Sequence, residues 1–242
     1  MTAADRRAEL AGARQAVLER IARACTAAGR DPAEVTLVAV TKTYPASDVL
    51  LLAELGITDV GENRDQEAAP KAAALAAAGA HVRWHFVGQL QRNKARSVAR
   101  YADVVESVDS IRLAAALDRA AADTRTAPVD VLVQISVDGD PARGGAVDEA
   151  DDPDHDLWRV AGAVAAADSL RLAGVMAVAP RDWEPDRAFA TLAALSARLA
   201  ERYPGATVVS AGMSGDLEAA VRHGATHVRI GSSLLGMRNT LR

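Results

Sequence analysis

Lysine is scarce in this chain of 242 residues: of its 28 basic side chains only Lys42, Lys71 and Lys94 are lysines, and the rest are arginine. A chain that so prefers arginine has kept lysine where an amine rather than a charge is needed. A guanidinium stays protonated and is a poor nucleophile, whereas an ammonium in an apolar pocket can lose its proton and attack a carbonyl. Cysteine is scarcer still. The single Cys25 excludes an internal disulfide and any cysteine-based zinc site, and it suits a reducing cytoplasm, where the chain is expected to reside. Long apolar runs are missing, so no membrane span is expected. Arg6 and Arg7 have no apolar stretch behind them. The N-terminus therefore reads as an amphipathic helix with Leu10, Val17, Ile21 and Cys25 on one stripe, not as a signal peptide. A basic excess is also lacking: the net charge of −4 argues against a general nucleic-acid binder, because phosphate backbones call for a basic surface.

What is present is a regular alternation. Strand patterns fall at 35–40, 58–62, 83–88, 103–108, 129–136, 171–178, 206–212 and 227–231. Helical patterns follow them at 46–55, 64–79, 91–100, 110–124, 153–167, 185–202, 214–223 and 232–238. Several strands are apolar throughout, as strands covered on both faces should be. Eight such β/α units predict a closed (β/α)₈ barrel, a TIM barrel of the α/β class, as a single domain over 1–242 with an extra helix over 1–30 packed on it. An open doubly wound sheet is the rival, but no G-x-G-x-x-G follows the first strand. The Gly- and acid-rich stretch 138–156 reads as a solvated loop without calcium-loop spacing.

Such barrels carry their active sites at the C-terminal ends of the strands. Lys42 ends the first strand, Glu62 and Asn63 the second, and His85 lies in the third. The seventh runs into SAGMSGD (210–216) and the eighth into RIGSS (229–233). Both stretches are small-residue turns with hydroxyls that open a helix, and barrels often hold phosphate after these two strands. Helix capping by Ser214 and Ser232 explains either turn alone. Lys42 opposite a phosphate cradle suits a ligand with an aldehyde and a phosphate. Pyridoxal phosphate has both, with Lys42 forming the imine and Arg229 reaching the ring nitrogen or the phosphate; other phosphorylated ligands remain open. A snorkelling lysine and a structural ion pair are the plain alternatives for Lys42 and Arg229. A packed role competes with a functional one for His85. Lys71 reads as solvated, and Lys94 either reaches the barrel mouth or pairs with an acid. His223 and His227 flank a glycine turn at the opposite end, and no metal site is expected.

The segments AVTKTYP, GENRDQE, WHFVGQLQRNK and SAGMSGDLEAAVRHGATHVRIGSSLLG, in this order, resemble the pyridoxal phosphate homeostasis proteins over about 35–240. The third and fourth are highly specific. The resemblance implies a barrel like the N-terminal domain of bacterial alanine racemases. It implies pyridoxal 5'-phosphate as cofactor and Lys42 as the Schiff-base lysine. Asn63 and His85 are implied near the cofactor, Ser214, Gly231 and Ser232 at its phosphate, and Arg229 at its ring or phosphate side. The sequence departs from the family pattern at Arg64, where Tyr is common, at Ala211, where Met is frequent, and at Arg143, where Lys is frequent.

Two functions then compete. In the first, the protein carries and buffers pyridoxal phosphate, meets apo-enzymes transiently, and is itself a monomer or weak dimer. In the second, it is an amino-acid racemase or related enzyme, which needs a base on each face of the α-carbon. Alanine racemases take the second base, a tyrosine, from a further domain that this chain, ending at Arg242, is expected to lack. Of Tyr44, Tyr101 and Tyr203, only Tyr44 is near the site, and it is too close to Lys42 and Pro45 to reach the opposite face. The carrier reading is favoured, with no catalytic residue assigned.

Overall fold

The computed structural model describes residues 2–140 and 143–236. Helix α1 (Ala3–Ala27) opens with a capping box in which the Thr2 hydroxyl accepts from Asp5 N–H and the Asp5 carboxylate accepts from Thr2 N–H. Both orphan donors are satisfied, which fixes where the helix begins. Its buried stripe is Leu10, Val17, Ile21, Ala24 and Cys25.

The strands are β1 (Thr36–Val40), β2 (Asp59–Glu62), β3 (Arg83–Phe86), β4 (Val104–Val108), β5 (Val129–Gln134), β6 (Leu170–Met176), β7 (Val208–Ser210) and β8 (His227–Ile230). They are parallel and close in chain order, β8 pairing with β1, so the fold is a single-domain (β/α)₈ barrel. Outside it lie α2 (Ala46–Glu54), α3 (Asp65–Ala77), α4 (Ala95–Ala99), α5 (Ile111–Thr124), α6 (Leu157–Ala165), α7 (Pro185–Arg202), α8 (Leu217–Arg222) and α9 (Ser232–Leu235). Every expected strand and helix is found, most of them shorter than the pattern. Polar and glycine residues just past the strand ends form the mouth of the barrel, as at Asn63 after β2 and Gly88 after β3. The stretch 91–100 divides into a 3₁₀ turn, Arg92–Lys94, followed by α4. Positions 237 and 238 of the last expected helix lie outside the described residues.

The solvated-loop expectation for 138–156 fails at its centre. Ala146 is fully buried, and the backbone there bridges to the end of β5: Ala146 N–H donates to Gln134 O at 2.7 Å, and Ser136 N–H donates to Ala146 O at 2.9 Å. Two apolar residues, Ala146 and Val147, inside a charged stretch are the reason.

Two apolar layers enclose the barrel. Outward residues of β4, β5 and β6 pack on α5, α6 and α7 in one cluster. The other cluster joins β1, β2 and β8 to α1, α2, α3, α8 and α9, so α1 lies over the quadrant made by the last two helices. Among the described residues no helix is long and apolar enough to cross a membrane.

Candidate functional site

A cleft of about 500 Å³ opens at the C-terminal end of the strands. Lys42, Asn63, Ser214, Arg229, Gly231 and Ser232 all line it, with Val40, Gly88, Met176, Val178, Met213 and Gly215 among their neighbours. Six of the seven sequence-selected residues thus share one wall system. The seventh, His85, does not line the cleft and is buried inside the barrel.

Lys42 sits exposed on a turn that α3 holds from below. Thr41, the residue before it, is fully buried and donates its hydroxyl to Glu62 Oε1 at 2.6 Å. Lys71 Nζ donates to the same Glu62 oxygen at 2.6 Å and to Thr41 O at 2.8 Å. Thr43, the residue after Lys42, takes a left-handed backbone with φ of 69° and donates its N–H to Glu67 Oε2 at 2.7 Å. A β-branched residue pays for that conformation, so the bonds from α3 are what keep it there. The solvated role expected for Lys71 is therefore wrong. Pro70 and Gln66 mark the exposed face of α3, while Lys71, together with Asp65, Ala68, Ala72 and Leu75, faces inward. Burial pushes the Glu62 carboxyl up, against the opposing pull of the Lys71 and Thr41 hydrogen bonds. Lys94 does not line the cleft and forms no ion pair among the described residues.

Inside the barrel, beneath Arg229, runs a chain of polar groups. Residues of a strand alternate between core and outer face, and Asp59, His85, Glu106, Ser210 and Arg229 meet across the interior. His85 Nε2 lies 2.9 Å from Asp59 Oδ1 and Nδ1 lies 2.7 Å from Glu106 Oε1. Burial alone would lower the His85 pKa; the two carboxylates outweigh it and raise it above 6.5. As an imidazolium His85 donates from both nitrogens, which neutral imidazole cannot do. Burial would raise Glu106, but His85, Arg229 and Ser210 hold it down at about 2. Ser210 Oγ donates to Glu106 Oε2 at 2.6 Å and accepts from Arg229 Nη1 at 2.7 Å. Arg229 Nη2 is tied to Ala177 O at 2.8 Å. Neighbouring His227 is pushed down to about 4 by burial and by the His85 charge, 5.9 Å from ring to ring. The arrangement orients the Arg229 guanidinium from below, with His85 acting through Glu106 rather than at the cleft.

Glu106 and Ser210 were given no role from the sequence, and Lys71 was given the wrong one. For Glu106 the signal was present: a carboxylate inside an otherwise apolar strand, DVVESV, points into a barrel and needs a partner there. Among the departures from the family pattern, Arg64 is exposed and only 3.7 Å from Glu67, and Ala211 is buried in the outer cluster. Arg143 pairs with Asp138 at 3.2 Å and donates to Val178 O at 2.9 Å, tying the loop after β5 to the cleft rim. Among the described residues no group of histidine, cysteine and carboxylate side chains could hold a metal ion.

Residues 13–239 match the family described as alanine racemase, N-terminal domain. A pyridoxal phosphate homeostasis protein of Mycobacterium tuberculosis (strain H37Rv) is 46% identical over 247 residues, covering 97% of this chain and 95% of that protein. The chain belongs to the pyridoxal phosphate homeostasis protein family. An Escherichia coli K12 member is 38% identical over 230 residues, covering 92% of this chain and 94% of its own. The solved structure of the Synechococcus elongatus protein PipY with pyridoxal phosphate bound superposes with a TM-score of 0.75 at 32% identity, covering 89% of this chain and 100% of PipY.

Proposed function

We propose that the protein holds pyridoxal 5'-phosphate reversibly at Lys42 and thereby buffers and delivers this cofactor. The observation that carries the reading is the company Lys42 keeps: the only lysine of the cleft lining shares it with two facing serines and a buried arginine. Ser232 and Ser214 hydroxyls lie 3.4 Å apart. The residues fit the cofactor on two further counts. Asn63 Oδ1 is buried with no partner among the described residues, so an acceptor is left for a ligand. Gly215 has nothing within 4 Å of where a Cβ would stand, which leaves the backbone open on that wall.

When bound, the cofactor supplies an aldehyde that condenses reversibly with a primary amine. Lys42 presents that amine on a turn clamped by α3. Ser214, Ser232 and the first N–H groups of the turn at Gly231, which have no intrahelical acceptor, hold the phosphate. Asn63 accepts a hydrogen bond from the ring side. Arg229, kept charged and oriented by Ser210 and Glu106, lies at the ring or phosphate and has no proton to give away at neutral pH. The names of the relatives and the cofactor in PipY support the same assignment.

Racemisation would need a second base across the cleft from Lys42. Tyr44 donates its hydroxyl to Gly236 O at 2.6 Å, and Tyr101 is packed edge-on against Trp84. Neither they nor Tyr203 line the cleft. This supports a carrier over a catalyst, with apo-enzymes as transient partners. The test has two arms. Borohydride reduction of the loaded protein followed by peptide mass spectrometry places the cofactor on Lys42; a label confined to Lys71 or Lys94 overturns the site. Incubation with L-amino acids in deuterated water, followed by NMR, leaves the α-proton in place, while the loaded protein reactivates an apo-enzyme. Exchange at about 1 per second or faster that disappears in Lys42→Ala overturns the carrier reading.

A further inference from the structure

Three arginines on or just after α1 reach backbone carbonyls of the quadrant below them. Arg6 takes Leu235 O at 3.0 Å, at the end of α9, and Arg30 takes Val221 O at 2.8 Å, in the last turn of α8, and Ala225 O at 2.9 Å, in the turn that leads to β8. These two bond carbonyls at or just past helix ends, and Val221 O also accepts from Gly224 N–H at 3.1 Å. Arg20 is different. Its Nη1 donates to Ser214 O at 2.7 Å, a carbonyl in the cleft-lining turn rather than at a helix end. The guanidinium is itself held in a fork by Glu218, with Nε to Oε1 and Nη2 to Oε2 both at 2.6 Å. Such a bidentate pair fixes direction as well as distance.

The consequence follows from peptide geometry. The described chain has no cis peptide, and in a trans peptide the N–H points opposite to the C=O of the same plane. Drawing Ser214 O toward α1 turns the N–H of Gly215 away from α1. Gly215 lines the cleft, and its N–H finds no acceptor among the described residues. Glycine gives this peptide little resistance to rotation, and no neighbouring atom lies within 4 Å of its Cβ direction to block a flip. The turn is closed by Asp216 N–H to Met213 O at 3.3 Å and by Met213 N–H to Asp216 Oδ1 at 2.6 Å, and Arg20 restrains the central plane through its carbonyl.

We propose that Arg20 is a positioning residue for the anion-holding wall of the cleft. By pinning Ser214 O it aims the Gly215 N–H at the phosphate of the ligand, so that α1 sets the preference for a phosphorylated over an unphosphorylated aldehyde. The inference rests on the cofactor reading above. It gives α1, which contributes no side chain to the cleft lining, a part in ligand choice.

The experiment measures the affinities of the full chain for pyridoxal 5'-phosphate and for pyridoxal, which lacks the phosphate, in wild type, Arg20→Met, Arg20→Lys and Glu218→Gln. A hydrogen bond to a charged group is worth roughly tenfold or more in affinity. Arg20→Met is expected to weaken the phosphorylated ligand about tenfold and leave pyridoxal unchanged. Arg20→Lys, with one donor for Ser214 O, is expected to recover part of the loss, and Glu218→Gln to lie between it and wild type. Equal weakening of both ligands in Arg20→Met, or none, overturns the role of Arg20 while the cofactor reading stands. A wild type that binds neither ligand overturns the cofactor reading itself. Circular dichroism checks folding, and if Arg20→Met is unfolded, the ratio in Arg20→Lys and Glu218→Gln decides: an unchanged ratio in both overturns the proposal.

Discussion

Lys71 Nζ lies 2.8 Å from the carbonyl oxygen of Thr41, the residue immediately before Lys42. One lysine of the chain is thus spent on holding another in place. The ammonium also neutralises Glu62, whose side chain is wholly buried. Breaking a buried pair by removing one partner typically costs about 3–5 kcal/mol, because it strands a charge, whereas removing both costs far less. Lys71→Met is therefore expected to lose stability of that order, and Lys71→Met with Glu62→Gln to regain much of it. Urea unfolding of the two variants checks this. Equal losses in both would show that the charge of Glu62 is not the source of the cost.

The barrel was legible because its period is: apolar strands and amphipathic helices alternate along the chain, and closure follows from their number. The cleft wall was legible where chemistry shows in residue type, as at Lys42, Ser214 and Ser232. Lys71 was not, because its pattern on α3 is set by a run of alanines that does not distinguish inner from outer face. His85, expected near the cofactor, does not line the cleft. Sequence locates it on β3 but does not reveal that Asp59 and Glu106 occupy both its nitrogens. Such partners are far apart in the chain and meet only when the barrel closes.

Acid should weaken the cofactor-free fold in two steps. His227 is held at about 4 against an ordinary 6.5, so the unfolded chain takes up this proton first and stability falls as the pH drops from 6.5 to 4. A shift of this size corresponds to about 3 kcal/mol. Glu106, held at about 2 against 4.5, contributes fully above 4.5 and is lost as the pH falls toward 2. His85 runs the other way: raised above 6.5, its contribution is complete below 6.5 and fades as the pH rises through its folded value. Urea midpoints across pH 4 to 7 are expected to slope downward into acid in wild type and to flatten in His227→Asn. A wild-type profile already flat in this window would contradict the buried neutral histidine.

Ser214→Ala combined with Ser232→Ala tests whether the hydroxyls bind a phosphate or only each other. Each lost hydrogen bond to an ionised phosphate should cost about 1.5–3 kcal/mol. The bond between the two hydroxyls, at 3.4 Å, is long and contributes little to folding. Titration with pyridoxal phosphate should therefore show much weaker binding beside a nearly unchanged melting temperature. Unaltered affinity would leave the serines with a structural role alone.

Gly88 lines the cleft beside Asn63, and a Cβ built on it would stand 2.2 Å from the carbonyl oxygen of Asn63. Real Cβ atoms do not approach a backbone oxygen so closely, and the atom in the way is main chain, which cannot swing aside as a side chain can. Gly88→Ala must then move either the strand end carrying Asn63 or the loop after β3. Asn63 is the residue whose buried Oδ1 has no partner among the described residues, so its placement matters to a ligand more than to the apo fold. Overpacking of this kind costs about 1–3 kcal/mol of stability. Asn63→Ala removes the acceptor without moving backbone. The two variants should therefore share a loss of pyridoxal phosphate affinity but differ in stability, with Gly88→Ala the less stable. If Gly88→Ala binds as wild type does, the Asn63 carbonyl has yielded without disturbing the site, and the contact is not what sets the position of its side chain.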